Sequence, residues 1–306
     1  MPGVLSDEDA KLLDTYKRNS KAYYEVGDYV RAEDQCRKGL ALDDDDETLK
    51  LTLGYALLMQ ASPKSLIEAR QIFSGEIGSF GTKDWRLQMG YGMTLQQLAR
   101  LHETAPDQFK GEKEPLDIPA ARKEAREQLE AANSAKNAPA EVTYHLAILD
   151  LEEGRSDLFP AHATAALAKL KEHEKLLGIQ LKRPMGTSEE QRTIRERDIN
   201  RERGRRVARE LARAAWERND WKGAVAAMDE LSTFGDLARA DHYDRARIRE
   251  RAGNIEGAVD DLGKFIELSP KGSELDPLVS QAYESLTKLR AQLAEQRTAT
   301  PLSSSR

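Results

Sequence analysis

Two stretches in the C-terminal third of the chain repeat each other without a gap. LARAAWERNDWKGAVAAMDELSTFGD (Leu211 to Asp236) aligns with RARIRERAGNIEGAVDDLGKFIELSP (Arg245 to Pro270) at a constant offset of 34 residues. Ala212 falls on Ala246, Asn219 on Gly253 and Trp221 on Ile255. Gly223-Ala224-Val225 falls on Gly257-Ala258-Val259, Met228 on Leu262 and Leu231 on Phe265. A fixed period of this size, with small residues kept at matched positions, is the mark of a stacked array of helical hairpins. One such hairpin cannot bury its apolar face alone, so the rest of the chain has to supply its neighbours.

The rest of the chain can do so. At 306 residues it is 39% hydrophobic, only 6% aromatic and 33% charged, which suits a thin two-layer array better than a thick globule. Eleven prolines and 20 glycines are few, and β-branched runs are nearly absent, so the expectation is all-α. The single cysteine, Cys36, leaves no internal disulfide and no cysteine-based zinc cluster. Five scattered histidines include no i, i+4 pair, and the net charge of −6 gives no general attraction to nucleic acid or anionic membrane. The N-terminal MPGVLSDEDAKLLD lacks a basic region followed by an apolar one, and the longest apolar window, Leu51 to Met59, is too short to span a bilayer. A cytoplasmic protein without membrane attachment is expected.

The repeat resembles the tetratricopeptide repeat (TPR) family on these residues and on others. GDYxxAxxxCxxGL, from Gly27 to Leu40, fits the family pattern, as do Leu53-Gly54 and the Trp85…Met89-Gly90…Met93 helix. The resemblance implies a right-handed α-α superhelical solenoid of about six TPR-like hairpins plus a C-terminal capping helix, over 7–296. The hairpins are placed at about 10–43, 47–77, 83–135, 140–172, 205–236 and 239–270, with the capping helix at 276–296. Within the third, HETAPDQFKGEKEPLDIP (102–119) is an inserted loop whose prolines interrupt the helix. Residues 173–204 are an arginine-rich insertion leading into an extended helix of about 30 residues, which either breaks at Gly204 or projects beyond the array. Residues 297–306 are expected to be a disordered tail. The acidic run Asp43 to Asp46 lacks EF-hand spacing and reads as a turn that caps the next helix.

No nucleophile elbow, P-loop, dinucleotide-binding glycine motif or HExxH occurs, so no enzyme, cofactor or metal site is expected. In TPR proteins the first helix of each hairpin lines a concave groove. The matching positions here are Lys17, Lys21, Tyr24, Tyr55, Tyr91, Tyr144, Arg209, Arg213, Trp216, Tyr243 and Arg247, with Leu51, Leu58, Leu87 and Ile148 beside them. Such a groove is aromatic and aliphatic in the middle and basic at both ends. It suits a protein or peptide segment of acidic and hydrophobic character, although the tyrosines equally suit packing between helices. The carboxylate clamp found in some TPR proteins is broken, since Ser20 and Leu53 stand where its asparagines would fall. Two alternatives to a scaffold or adaptor remain. One is a nucleic-acid-associated regulator using the helix from Arg192 to Arg213, which carries nine arginines against four acids; the other is a self-assembling scaffold.

Overall fold

A computed structural model describes residues 5–80, 84–110, 116–272 and 276–299, with backbone alone at 79, 80 and 299. Among these residues there are thirteen α-helices, two short 3₁₀ turns and no strand. The helices are α1 (Asp7–Val26), α2 (Tyr29–Leu40), α3 (Glu47–Gln60), α4 (Pro63–Phe80), α5 (Trp85–Thr104), α6 (Ile118–Asn133) and α7 (Ala140–Glu152). They continue as α8 (Phe159–Gln180), α9 (Thr187–Glu217), α10 (Trp221–Glu230), α11 (Arg239–Arg251), α12 (Ile255–Glu267) and α13 (Pro277–Ala299). None of the described helices is long and apolar enough to cross a membrane.

The chain divides into two compact units, Met1–Leu158 with Lys175–Asp198, and Phe159–Glu174 with Ile199–Arg306. Helices α8 and α9 therefore supply residues to both. In the first unit each helix from α1 to α6 packs on its successor, and α1 also touches α3, α3 touches α5, and α5 touches α7. The odd-numbered helices thus form one layer and the even-numbered helices the other. In the second unit α10, α11, α12 and α13 pack in sequence.

The hairpin turns reuse one local solution. Gly27, Asn219 and Gly253 each adopt a left-handed backbone, with φ of 79°, 59° and 79°. The next residue, Asp28, Asp220 or Asn254, then caps the following helix by accepting the N–H three residues on. A different device sets the spacing between layers. The ring of Phe73 in α4 sits against Gly54 of α3 and Gly90 of α5, where a Cβ would stand 2.8 and 2.5 Å from it. Only glycine lets both helices approach one aromatic ring so closely. In the second unit the ring of Phe234, which follows α10, presses on Gly204 in the same way, with 2.4 Å to a Cβ.

Several expectations are corrected. Helix α5 runs on to Thr104, because the first residue that disfavours a helical backbone is Ala105, just before Pro106. Residues 106–109 then form a 3₁₀ turn, and α6 already begins at Ile118, with Pro119 in its first turn where the missing N–H costs nothing. The inserted loop is shorter than 102–119 at both ends, and its residues 111–115 lie outside the described residues. In the segment 173–204, α8 continues to Gln180 and only residues 181–186 are non-helical. Helix α9 is unbroken at Gly204, which serves close packing rather than a bend. Its N-terminal half does not project, since Arg192 and Arg195 are bound to the first hairpin. Arg297 to Ala299 belong to α13, where Arg297 pairs with Glu256 of α12 at 2.9 Å. The remainder of the expected tail lies outside the described residues.

Candidate protein-binding clefts

In the second unit three helices present matched rows of side chains. Arg209, Arg213 and Trp216 occupy one face of α9 at i, i+4 and i+7 spacing, and Tyr243, Arg247 and Arg251 occupy one face of α11 at i, i+4 and i+8. Gln281, Ser285 and Lys288 form the row on α13. The rows enclose two adjoining clefts of about 320 and 500 Å³, with Trp216 and Arg247 lining both. Trp216 is held edge-on by Trp221 of α10, with ring centroids 4.8 Å apart. Tyr243 leans on Phe265 at 5.0 Å and donates its hydroxyl to Gln281 Oε1 at 2.9 Å. Between these two fixed rings lies the Arg247 guanidinium, 5.9 Å from the Trp216 centroid and 6.0 Å from that of Tyr243. Arg247 forms no ion pair among the described residues, so its donors remain for a ligand.

The other charges around these clefts are less free. Arg209 is clamped to Asp241 and Arg213 pairs with Glu210 in its own helix. Burial opposes the charge of Asp241, but Arg209 outweighs it and holds the carboxyl below its ordinary value. Asp244, exposed at its rim, is still desolvated enough by the cleft wall, and close enough to Asp241, that its carboxyl is pushed above the ordinary value.

In the first unit α1, α3 and α5 border a larger cleft of about 620 Å³, lined among others by Lys21, Tyr24, Leu51 and Leu87. Four carboxylates, Glu25, Glu47, Glu76 and Asp84, share it with two cations, Lys21 and Arg86. This end of the expected groove is therefore not basic. Lys17 is turned away to an ion pair with Asp46, the residue that also caps α3.

The middle tyrosines support the helices rather than the surface. Tyr55 donates to the Arg86 carbonyl at 2.6 Å and meets Phe73 edge-on at 5.3 Å; burial raises its phenol well above the ordinary value. Tyr91 is buried and donates to Glu124 at 2.9 Å, its phenol also raised, first by burial and then by that bond. Tyr144 is buried edge-on to His145 at 5.1 Å. Seven of the expected residues, Lys21, Tyr24, Arg209, Arg213, Trp216, Tyr243 and Arg247, line clefts. The row on α13 was missed because that helix read as a cap, yet Gln281 stands 34 residues after Arg247, one further period of the repeat.

The nine arginines of α9 are all engaged. Arg192 pairs with Glu25, Arg195 donates to the Val26 carbonyl and the Tyr29 hydroxyl, and Arg201 pairs with Glu174. Arg205 donates to the Asp236 carbonyl, Arg209 pairs with Asp241 and Arg213 with Glu210. Arg197, Arg203 and Arg206 have partners as well. Among the described residues no group of three or more histidine, cysteine, aspartate or glutamate side chains is arranged to hold a metal ion.

No family model matches the chain, and neither does any curated protein sequence. Solved structures do. Pseudomonas aeruginosa PilF aligns over 94% of this chain and 100% of its own, with TM-score 0.56 and 14% identity. PilW, described as a widely conserved type IV pilus biogenesis factor, aligns over 87% of this chain and 98% of its own, with TM-score 0.53 and 14% identity. A tetratricopeptide repeat protein from Parabacteroides merdae ATCC 43184 aligns over 89% and 99%, with TM-score 0.30 and 12% identity. The chain has an all-α, TPR-like fold.

Proposed function

We propose that this protein is a non-catalytic scaffold or adaptor that holds a protein segment in the paired clefts of its second unit. One observation carries the reading. Among the described residues Arg247 is a cation without an ion pair, lying between Trp216 and Tyr243, which are themselves held by Trp221, Phe265 and Gln281. A preorganised arginine flanked by aromatic rings is the kind of group that carries interface energy, because little side-chain freedom is lost when a partner arrives. Arg213, Arg251 and Lys288 add positive charge, while Met228, Ile248 and Leu262 give the cleft walls apolar surface. The guest favoured by this chemistry is a segment alternating acidic and apolar side chains.

The engagement of every arginine in α9 weighs against a nucleic-acid reading, since guanidinium groups committed to carboxylates and carbonyls displace few counterions from a phosphate backbone. The scaffold reading is tested by fluorescence polarisation with a labelled octapeptide alternating Glu and Leu. Arg213→Glu combined with Arg247→Glu should weaken binding by about tenfold or more, and Trp216→Ala by a similar factor. Equal binding by wild type and the reversed variant would refute it.

A further inference from the structure

Residues 175–198, the end of α8 and the start of α9, belong to the first unit, where they meet the turn between α1 and α2. Arg195 donates to the carbonyl of Val26, 169 positions away, and to the Tyr29 hydroxyl at 3.2 Å. Its guanidinium lies 5.6 Å from the Tyr29 centroid. Three residues earlier, Arg192 pairs with Glu25 at 2.8 Å. The turn is shaped for the Arg195 group, because Gly27 has no Cβ and one placed there would collide with the guanidinium. Carbonyl, hydroxyl and aromatic face suit a planar fork of donors that also stacks on rings. Apolar burial does not reinforce the contact. The core of the first unit runs from Leu13 to Leu149 and, among the described residues, includes no side chain from 175–198. Val26 and Val30 on the turn and Ile194 between the two arginines are exposed, and both partners of the Arg192–Glu25 pair are partly so. Contacts of this kind are individually weak and are screened by salt, unlike those of a packed core.

We infer that residues 175–198 are a releasable clasp on the first unit, with the Gly27–Tyr29 turn as the catch for Arg195, and that releasing the clasp loosens the end of α1. Helix α1 buries only Leu13 and Ser20, so its last six residues, Lys21 to Val26, carry no buried side chain to anchor them. The clasp supplies two ties there, one to the Glu25 carboxylate and one to the Val26 carbonyl. Glu25 also lines the first-unit cleft, and Tyr29 is in ring contact at 5.5 Å with Tyr24, another lining residue. The state of the clasp therefore reaches the α1 wall of that cleft through the residues that hold it. Rising ionic strength shifts the balance toward the open state, since the ties are polar and partly solvated.

The test uses the full chain with spin labels at two exposed positions, Val30→Cys on α2 and Ile194→Cys on α9, and reads their separation by double electron–electron resonance. Cys36 is fully buried and burial pushes its thiol up to about 11, so it does not compete for label. At low salt one narrow distance is expected. Raising salt from about 0.01 M to about 1 M, which shortens the screening length from about 30 to about 3 Å, should add a second, longer population. Arg195→Ala should enlarge that population about five- to tenfold at low salt, and Arg195→Lys, which keeps the charge but not the fork, should fall between. Arg297→Ala removes an exposed ion pair with Glu256 in the second unit and should leave the distance unchanged. Hydrogen exchange reads the second part: amides of Lys21 to Val26 should exchange about fivefold faster in Arg195→Ala, while those of α3 and α5 keep their rates. Thermal unfolding of each variant establishes that it is folded. The inference is overturned if salt and Arg195→Ala both leave a single unchanged distance, or if Lys21 to Val26 exchange as in wild type.

Discussion

Arg209 and Asp241 form a two-point pair between α9 and α11, with Arg209 Nε and Nη2 donating to the two carboxylate oxygens at 2.8 and 3.0 Å. Asp241 is buried, and its second oxygen also accepts the Ala238 N–H at 3.0 Å, so the same carboxylate caps α11. Arg209 lines the cleft that Arg213 and Arg247 border, and its pair with Asp241 ties together the two helices that carry them. Its pH dependence follows from the direction of the shift. The folded carboxyl lies below the ordinary value of 3.8, so its contribution is present above that value and is lost as pH falls through the folded value. Urea unfolding of wild type and Asp241→Asn should differ by about 1–3 kcal/mol near neutrality, and the difference should shrink below about pH 4. A difference independent of pH between 7 and 3 would mean the charge is not what stabilises the contact.

Asp261 is the buried hub of the second unit. It accepts from Arg245 at 2.6 and 2.9 Å and from Arg249 at 2.9 Å, and His242 Nδ1 approaches it at 3.2 Å. Asp229, which meets the same two arginines, is 46% exposed against 3% for Asp261. Removing the buried partner leaves the two cations with only the half-exposed Asp229, so Asp261→Ala should cost about 3–5 kcal/mol, whereas Asp229→Ala should cost less than about 1 kcal/mol. Paired denaturant titrations decide this, and equal costs would overturn the ranking.

The contact of Phe73 with Gly54 and Gly90 explains which features were legible beforehand. Small residues at matched positions, the turn glycines and the 34-residue offset are local marks that the chain has to carry if its helices pack closely, so the all-α TPR-like fold was readable. The groove was less so, because helical spacing tells which face a residue occupies but not what stands opposite. Lys17 looked like a groove cation, yet Asp46, 29 positions on, holds it. Arg192 and Arg195 looked like part of a free basic face, yet their partners lie in the first hairpin, and nothing local in α9 announces a contact at that separation.

Gly90 and Gly75 should respond oppositely to alanine. A Cβ at Gly90 would lie 2.5 Å from the fully buried ring of Phe73, which has no room to retreat, so Gly90→Ala should destabilise by about 1–3 kcal/mol. Gly75, in the helical interior of α4, is exposed and would meet nothing within 4 Å. Gly75→Ala should therefore stabilise, by about 0.5–1 kcal/mol, through the helix preference of alanine. Thermal melts of the two variants should move in opposite directions.

The last prediction concerns the tie between α9 and the first hairpin. Gly27 has a φ of 79°, and a Cβ there would stand 1.5 Å from Arg195 Nη1, so the same glycine makes the turn and the seat for the guanidinium. Gly27→Ala should cost about 1–2 kcal/mol from the left-handed backbone alone, plus about 1 kcal/mol for the displaced bond to the Val26 carbonyl. Arg195→Ala removes that bond and the steric conflict together. In an Arg195→Ala background the cost of Gly27→Ala should therefore fall to the backbone part, giving a coupling of about 0.5–1 kcal/mol in a double-mutant cycle. Hydrogen exchange should report the same event locally, with amides of the N-terminal half of α9 exchanging faster in Arg195→Ala while those of α11 and α12 keep their rates. Additive costs in the cycle, together with unchanged exchange in α9, would show that Arg195 lies on the turn without holding it.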